Sequence, residues 1–186
     1  GGSATAIAVE ELAKKGARLF VRAGTTMAVH VAVGDLVLAQ AAVRAEGTSR
    51  TYAPLPYPAV ADAGAYAAFR QALQASGYPW AEGVVMSSDG FYSRMLHDGQ
   101  PPAGDDGWDE ATLARWRVLG LDMETATLYV VARHLGVAAV SLCVATVDRR
   151  HGAAPGEARA EYEQMLVRTT LEGVRRAITH QQEAQR

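Results

Sequence analysis

A chain of 186 residues, 49% apolar and 20% charged, can bury the core of one ordinary domain and is too rich in apolar residues to be disordered. Eighteen Lys and Arg against twenty Asp and Glu leave a formal charge of −2 with interspersed signs, which excludes the basic stripe that general nucleic-acid binding needs. The longest apolar run, Gly136 to Val147, is about a dozen residues, short of the roughly 20 of a bilayer-spanning helix.

The chain opens at Gly1-Gly2-Ser3 without a Met, and Ser3 or Thr5 is placed to cap a helix running through Ala6 to Ala13, closed by Gly16. Arg18 to Arg22 reads as a short strand stopped by Gly24-Thr25-Thr26, and Asp35 to Val43 as a second strand. Three prolines between Tyr52 and Pro58 argue for an extended segment. Asp62 to Ser76 has helical spacing, and Gly83 to Ser88 is the next strand. Phe91 to Gly107, with its glycines and two prolines, reads as a loop. Asp109 to Val118 predicts a short helix and Asp122 to Leu135 a longer buried one. Val137 to Val147 predicts a central buried strand, and a final helix follows Pro155-Gly156. Helix and strand alternate with no repeat and no linker, the pattern of one α/β domain. In such folds ligands sit beyond the carboxyl ends of the strands, here Arg22–Thr26, Ser87–Tyr92 and 147–151.

Several constellations at those ends can carry chemistry. Gly24 lets the backbone approach a ligand, and the N–H groups and hydroxyls of Thr25 and Thr26, with the charge of Arg22, can cradle an anion; a plain strand-to-turn junction reads the same way. Asp122 can be a helix cap, and Glu124 lies in the first turn, where the dipole favours an anion. Equally, the Glu124 carboxylate can accept from paired sugar hydroxyls and stabilise positive charge on a sugar ring. Phe91 and Tyr92 offer an aromatic face for a planar base or simply close a core edge. Asp148 and Arg149 can supply polar base contacts or form a solvated turn. The five histidines show no pair at metal-ligand spacing, and Cys143, the single cysteine, fits a buried core residue in a reducing compartment. Gly-x-Ser-x-Gly, the phosphate-loop Lys and Gly-x-Gly-x-x-Gly are absent from the sequence.

Six segments in order resemble the uridine phosphorylase branch of the nucleoside phosphorylases: Ile7-Ala8-Val9-Glu10-Glu11-Leu12, Val21-Arg22-Ala23-Gly24-Thr25-Thr26, Val33-Gly34-Asp35, Ala53-Pro54-Leu55 with Pro58 to Asp62, Ser87 to Tyr92, and Asp122 to Leu128. The resemblance implies an α/β three-layer sandwich around a mixed, partly barrel-like sheet. It also implies phosphorolysis of a nucleoside to free base and ribose 1-phosphate. By resemblance, Arg22 and Thr25 are the phosphate pair. Met123, Glu124 and Asp122 are ribose contacts, with Asp122 standing where relatives usually have Glu. Thr26 and Phe91 border the base. No cofactor or metal is implied beyond phosphate as co-substrate. The implied partners are nucleoside and phosphate, with a cytoplasmic homo-oligomer carrying its sites at a dimer interface, and neither nucleic acid nor membrane.

Two departures are visible. Where uridine phosphorylases carry Gln and Arg to read uracil, this chain has Met95 and His97; Arg94 and Gln100 lie near enough to substitute from a differently shaped loop. Relatives also carry an N-terminal segment with strands and a phosphate loop ahead of the stretch matching Gly1, so residues 1–186 are expected to be one domain lacking that part. A nucleosidase using water and a non-catalytic nucleoside- or base-binding relative are the alternatives.

Overall fold

The computed structural model describes residues 1–95, 109–148, 152–153 and 156–184. Its elements in chain order are α1 (Gly2–Lys14), β1 (Leu19–Ala28), β2 (Leu36–Ala45), a 3-10 turn (Ser49–Thr51), β3 (Ala59–Val60), α2 (Ala63–Ser76), β4 (Trp80–Ser88) and a π-helical turn (Phe91–Met95). These are followed by α3 (Glu110–Arg115), β5 (Gly120–Asp122), α4 (Thr125–His134), β6 (Ala138–Asp148), β7 (Gly152–Ala153) and α5 (Gly156–Ala184).

The sheet order is β3-β2-β4-β5-β1-β6-β7, and an additional antiparallel pairing of β2 with β6 closes β2, β4, β5, β1 and β6 into a five-strand barrel. Parallel pairs β1–β6 and β2–β4 form its long ladders. One apolar layer joins Ala6 and Val9 of α1 to α4 and to Phe20, Val37 and Val85 of the sheet. A second joins Phe69 and Leu73 of α2 and Leu166 of α5 to Leu36, Leu38, Val140, Leu142 and Val144. Helices therefore cover the sheet on two sides, as the α/β sandwich reading requires, with the barrel fully closed rather than partial.

Local chemistry explains several element ends. Asp62 caps α2 by accepting from the Ala65 amide at 2.9 Å, and Gly77 ends that helix at φ +72°. The buried Arg44 guanidinium gathers the carbonyls of Ala53, Pro54 and Tyr57 at 2.6–2.7 Å, which holds the proline-rich segment in a compact turn. Five expectations change. The segment from Tyr52 to Pro58, expected to be extended, is a run of turns gathered by Arg44, and Phe91–Met95, expected as loop, form a π-helical turn. Neither Ser3 nor Thr5 caps α1: its N-cap is Gly1, while Ser3 Oγ contacts Thr48 Oγ1 at 3.1 Å and Thr5 Oγ1 donates to the Gly1 carbonyl. β1 does not stop at Gly24 but continues to Ala28, because Gly24, Thr25 and Thr26 pair in register with Cys143, Val144 and Ala145 of β6. The helix expected from Asp122 begins at Thr125, and Gly120 to Asp122 form a strand instead.

Candidate active site

The carboxyl ends of β1, β5 and β6 converge, and the turn Phe91–Met95 after β4 closes over them. Together they bound a cavity of about 210 Å³ lined by Arg22, Thr25, Thr26, Met27, Phe91, Met95, Leu121, Asp122, Met123, Glu124, Thr146 and Val147. β1 and β5 cross antiparallel at Met27–Leu121 and Ala28–Gly120. A Cβ on Gly120 would stand 2.6 Å from Thr26 Oγ1 and 2.7 Å from the Met27 carbonyl oxygen, so the crossing needs glycine there.

Arg22 is the charged centre of this cavity. Its Nε and Nη2 both donate to Glu124 Oε2, at 3.2 and 2.7 Å, Nη2 also donates to the Thr25 carbonyl at 3.1 Å, and Nη1 donates to Cys143 Sγ. Gly24 makes room for this arrangement: a Cβ on it would press against the guanidinium at 3.2 Å. Burial disfavours a charged Glu124, yet the charge and hydrogen bonds of the Arg22 guanidinium favour it, and its carboxyl lies below the ordinary value of 4.5. Glu124 is therefore an anion at neutral pH. Burial pushes the Cys143 thiol up despite the facing Arg22. That sulfur is consequently a hydrogen-bonding neighbour rather than a nucleophile.

Asp122 acts one layer deeper. It is 3% exposed; Oδ1 accepts from Ser87 Oγ at 2.6 Å and from the Glu124 and Thr125 amides at 3.2 Å, while Oδ2 accepts from Thr125 Oγ1. Ser87 in turn accepts from the Ala126 amide at 2.9 Å, and Thr125 meets Ser141 Oγ at 2.9 Å. Asp122 thus anchors the N-terminus of α4, satisfying amides that have no partner within the helix. Its Oδ2 lies 3.6 Å from Arg22 Nη1, so it also fixes the guanidinium.

The seven expected residues Arg22, Thr25, Thr26, Phe91, Asp122, Met123 and Glu124 all line the one cavity. Thr25 and Thr26 do so from within a strand, not from the anion-cradling turn the sequence suggested. Thr26 Oγ1 is engaged with the Leu121 carbonyl at 2.9 Å. Phe91 stands edge-on to Tyr92, with centroids 5.1 Å apart. Asp148 ends β6 opposite Gly152 and Ala28, beside the cavity but outside its lining. Arg94 lies in the π-helical turn, and its side chain is outside the described residues, as are Gln100 and Arg149 entirely. Met27, Leu121 and Thr146 were missed from sequence: they sit in strand runs and carry no local mark of a site, while Val147 was marked only as the start of a strand end.

Comparison with known proteins agrees with this geometry. The family model of the phosphorylase superfamily matches residues 1–177. The chain is 40% identical over 158 residues to a uridine phosphorylase of Thermococcus kodakarensis, covering 80% of this chain and 55% of that protein. It is 37% identical over 167 residues to a uridine phosphorylase of Haemophilus influenzae, covering 85% and 65%. A guanosine phosphorylase of Halorubrum lacusprofundi is 34% identical over 180 residues, covering 96% and 69%. The chain thus spans less than two thirds of the length of the first two relatives. A match over nearly the whole chain, with the expected residues gathered at one cavity, assigns it: the chain belongs to the phosphorylase superfamily.

Proposed function

We propose that this chain acts as a nucleoside phosphorylase, cleaving the N-glycosidic bond of a uridine-like nucleoside with phosphate to give free base and ribose 1-phosphate. The observation that carries the reading is the contact of Arg22 with Glu124 in a cavity that Phe91, Met95 and Val147 also line. The relatives named for uridine phosphorylase favour a pyrimidine base; the one named for guanosine phosphorylase makes the base the first thing to test.

Each role follows from chemistry. Arg22, with the Thr25 hydroxyl beside it, binds the phosphate oxyanion. Glu124 accepts from the ribose 2′- and 3′-hydroxyls, and Met123 packs on the sugar. Phosphate attacks C1′ as the C1′–N bond breaks. The electron pair leaves with the base, and the ring passes through an oxocarbenium-like state that the Glu124 carboxylate and the incoming anion stabilise. Holding the hydroxyls orients C1′ for attack, which is worth several kcal/mol. Phosphate enters as co-substrate.

The reading extends to a cytoplasmic homo-oligomer. Apolar side chains left in solvent on α1 and α5, Ile7, Leu12, Val167 and Leu171, offer a surface for subunit contact, and no helix among the described residues is long and apolar enough to cross a membrane. Uridine, thymidine, inosine and adenosine incubated with and without phosphate test the function. Phosphate-dependent release of base from uridine supports it, and turnover unchanged on removing phosphate contradicts it.

A further inference from the structure

A second cavity, about 670 Å³ against the 210 Å³ of the active site, opens at the other end of the barrel. It lies where β6 begins at Ala138, whereas the active site lies where that strand ends. At about 3.3 Å per residue the two ends of β6 stand roughly 30 Å apart. Three backbone hydrogen bonds build its walls around the start of β6. The Ala138 amide donates to the Arg18 carbonyl, the Asp62 amide to the Ala139 carbonyl and the Val137 amide to the Ala132 carbonyl of α4, each at 2.9 Å. Gly136 makes the last reversal at φ +67°, a conformation that favours glycine. Arg18, Asp62 and Arg133 thereby line one recess, with Val60 and Val137 as apolar wall.

Its cations are unspent. Neither Arg18 nor Arg133 has a side-chain hydrogen bond or ion pair among the described residues. Arg133 is not needed to close α4, because the carbonyls of Val131, Ala132 and Arg133 already accept from the amides of Leu135, Val137 and Gly136. Asp62 spends Oδ1 on the Ala65 amide and keeps Oδ2. The Tyr129 hydroxyl, also in the lining, is fully engaged by the Ala39 carbonyl and the Ser141 amide. In a chain of formal charge −2, two guanidinium groups in one recess with no carboxylate paired to them are a local excess of positive charge.

We infer that this recess is a second ligand site, taking an organic phosphate monoester that carries free hydroxyl groups. A phosphate dianion matches two guanidinium forks, each of which gives parallel N–H···O bonds. Hydroxyls on the ligand donate to Asp62 Oδ2, and Val60 and Val137 pack on its carbon skeleton. Inorganic phosphate would leave Asp62 and most of the volume unused. The inference does not depend on the phosphorylase reading, since no residue of the active-site cavity takes part.

The test is isothermal titration of ribose 5-phosphate into wild-type protein, Arg18→Ala, Arg133→Ala and Arg22→Ala, with ribose as the uncharged control. Arg18 and Arg133 are exposed, so their removal leaves the core intact. Wild type and Arg22→Ala are expected to bind ribose 5-phosphate alike, while Arg18→Ala and Arg133→Ala each weaken it about tenfold, the scale of one charge-assisted hydrogen bond. Arg133→Lys, which keeps the charge and loses the fork, should recover part of that loss. Ribose should not bind in the same range. Binding abolished by Arg22→Ala and untouched by the other two alanine variants places the ligand in the active site and overturns the inference. Ribose bound as tightly as its phosphate overturns it too, as does the absence of saturable binding to wild type.

Discussion

Arg22 and Glu124, 102 positions apart in the chain, meet through two hydrogen bonds onto one carboxylate oxygen, at 3.2 and 2.7 Å. The side chains are 15% and 22% exposed, half-dry enough that the pair shapes the charge of the whole cavity. The partners assigned to phosphate and to ribose are therefore in direct contact. Removing one changes the other.

Glu124→Gln should lower kcat/KM for a ribonucleoside about 100-fold, the scale for losing one charge aimed at a transition state. Phosphate KM should not rise, because Arg22 loses a competing anion. Steady-state titration of each substrate separates the two effects. Equal losses in both KM values contradict the assignment of Glu124 to the sugar.

Asp122→Ala should cost stability rather than only binding. It removes a buried carboxylate that holds Ser87, Thr125 and two α4 amides, and leaves Arg22 with one carboxylate fewer. Breaking such a buried charged group costs about 3–5 kcal/mol. Urea denaturation measures it. A loss under about 1 kcal/mol would place Asp122 among ordinary surface charges.

Gly120→Ala tests the crossing of β5 over β1. The added methyl meets Thr26 and the Met27 carbonyl at 2.6–2.7 Å, so β5 must move, at a cost of about 1–3 kcal/mol. Because β5 leads directly into Asp122 and Glu124, activity should fall with the melting temperature. An alanine variant with wild-type Tm and turnover contradicts this packing.

The pH dependence follows from Glu124. Its carboxyl is held below 4.5 in the folded chain, so its stabilising contribution is present above the unfolded value and is lost as pH falls through the folded one. From about pH 8 to 5 it stays ionised and produces no acid limb in kcat/KM. Tm measured against pH should therefore show a wild-type advantage over Glu124→Gln that shrinks only below 4.5. An acid limb above pH ~5 that Glu124→Gln abolishes would contradict it.

Much of this site is legible in the sequence, and the misses have physical causes. Arg22-Ala23-Gly24-Thr25-Thr26 points to the cavity that Arg22, Thr25 and Thr26 line but reads as a turn. Glycine and threonines carry turn propensity, and only the ladder to Cys143, Val144 and Ala145 makes them strand. β5 is three residues long and too short to show a period, so the buried run after it reads as one helix. Asp122 was open to both a capping and a ligand role; its contacts with Ser87 and the α4 amides make it an anchor. Thr146 is left out of the β1–β6 pairing where the register shifts between Thr26 and Met27, and such a shift is a relation between two strands that leaves no trace in either sequence.

The central claim is that phosphate is the nucleophile at C1′. Phosphorus NMR of the protein with uridine and inorganic phosphate tests it most directly. The account predicts a ribose 1-phosphate resonance growing in step with released base, with matching loss of inorganic phosphate. Base released alongside free ribose, with the phosphate signal unchanged, would contradict it.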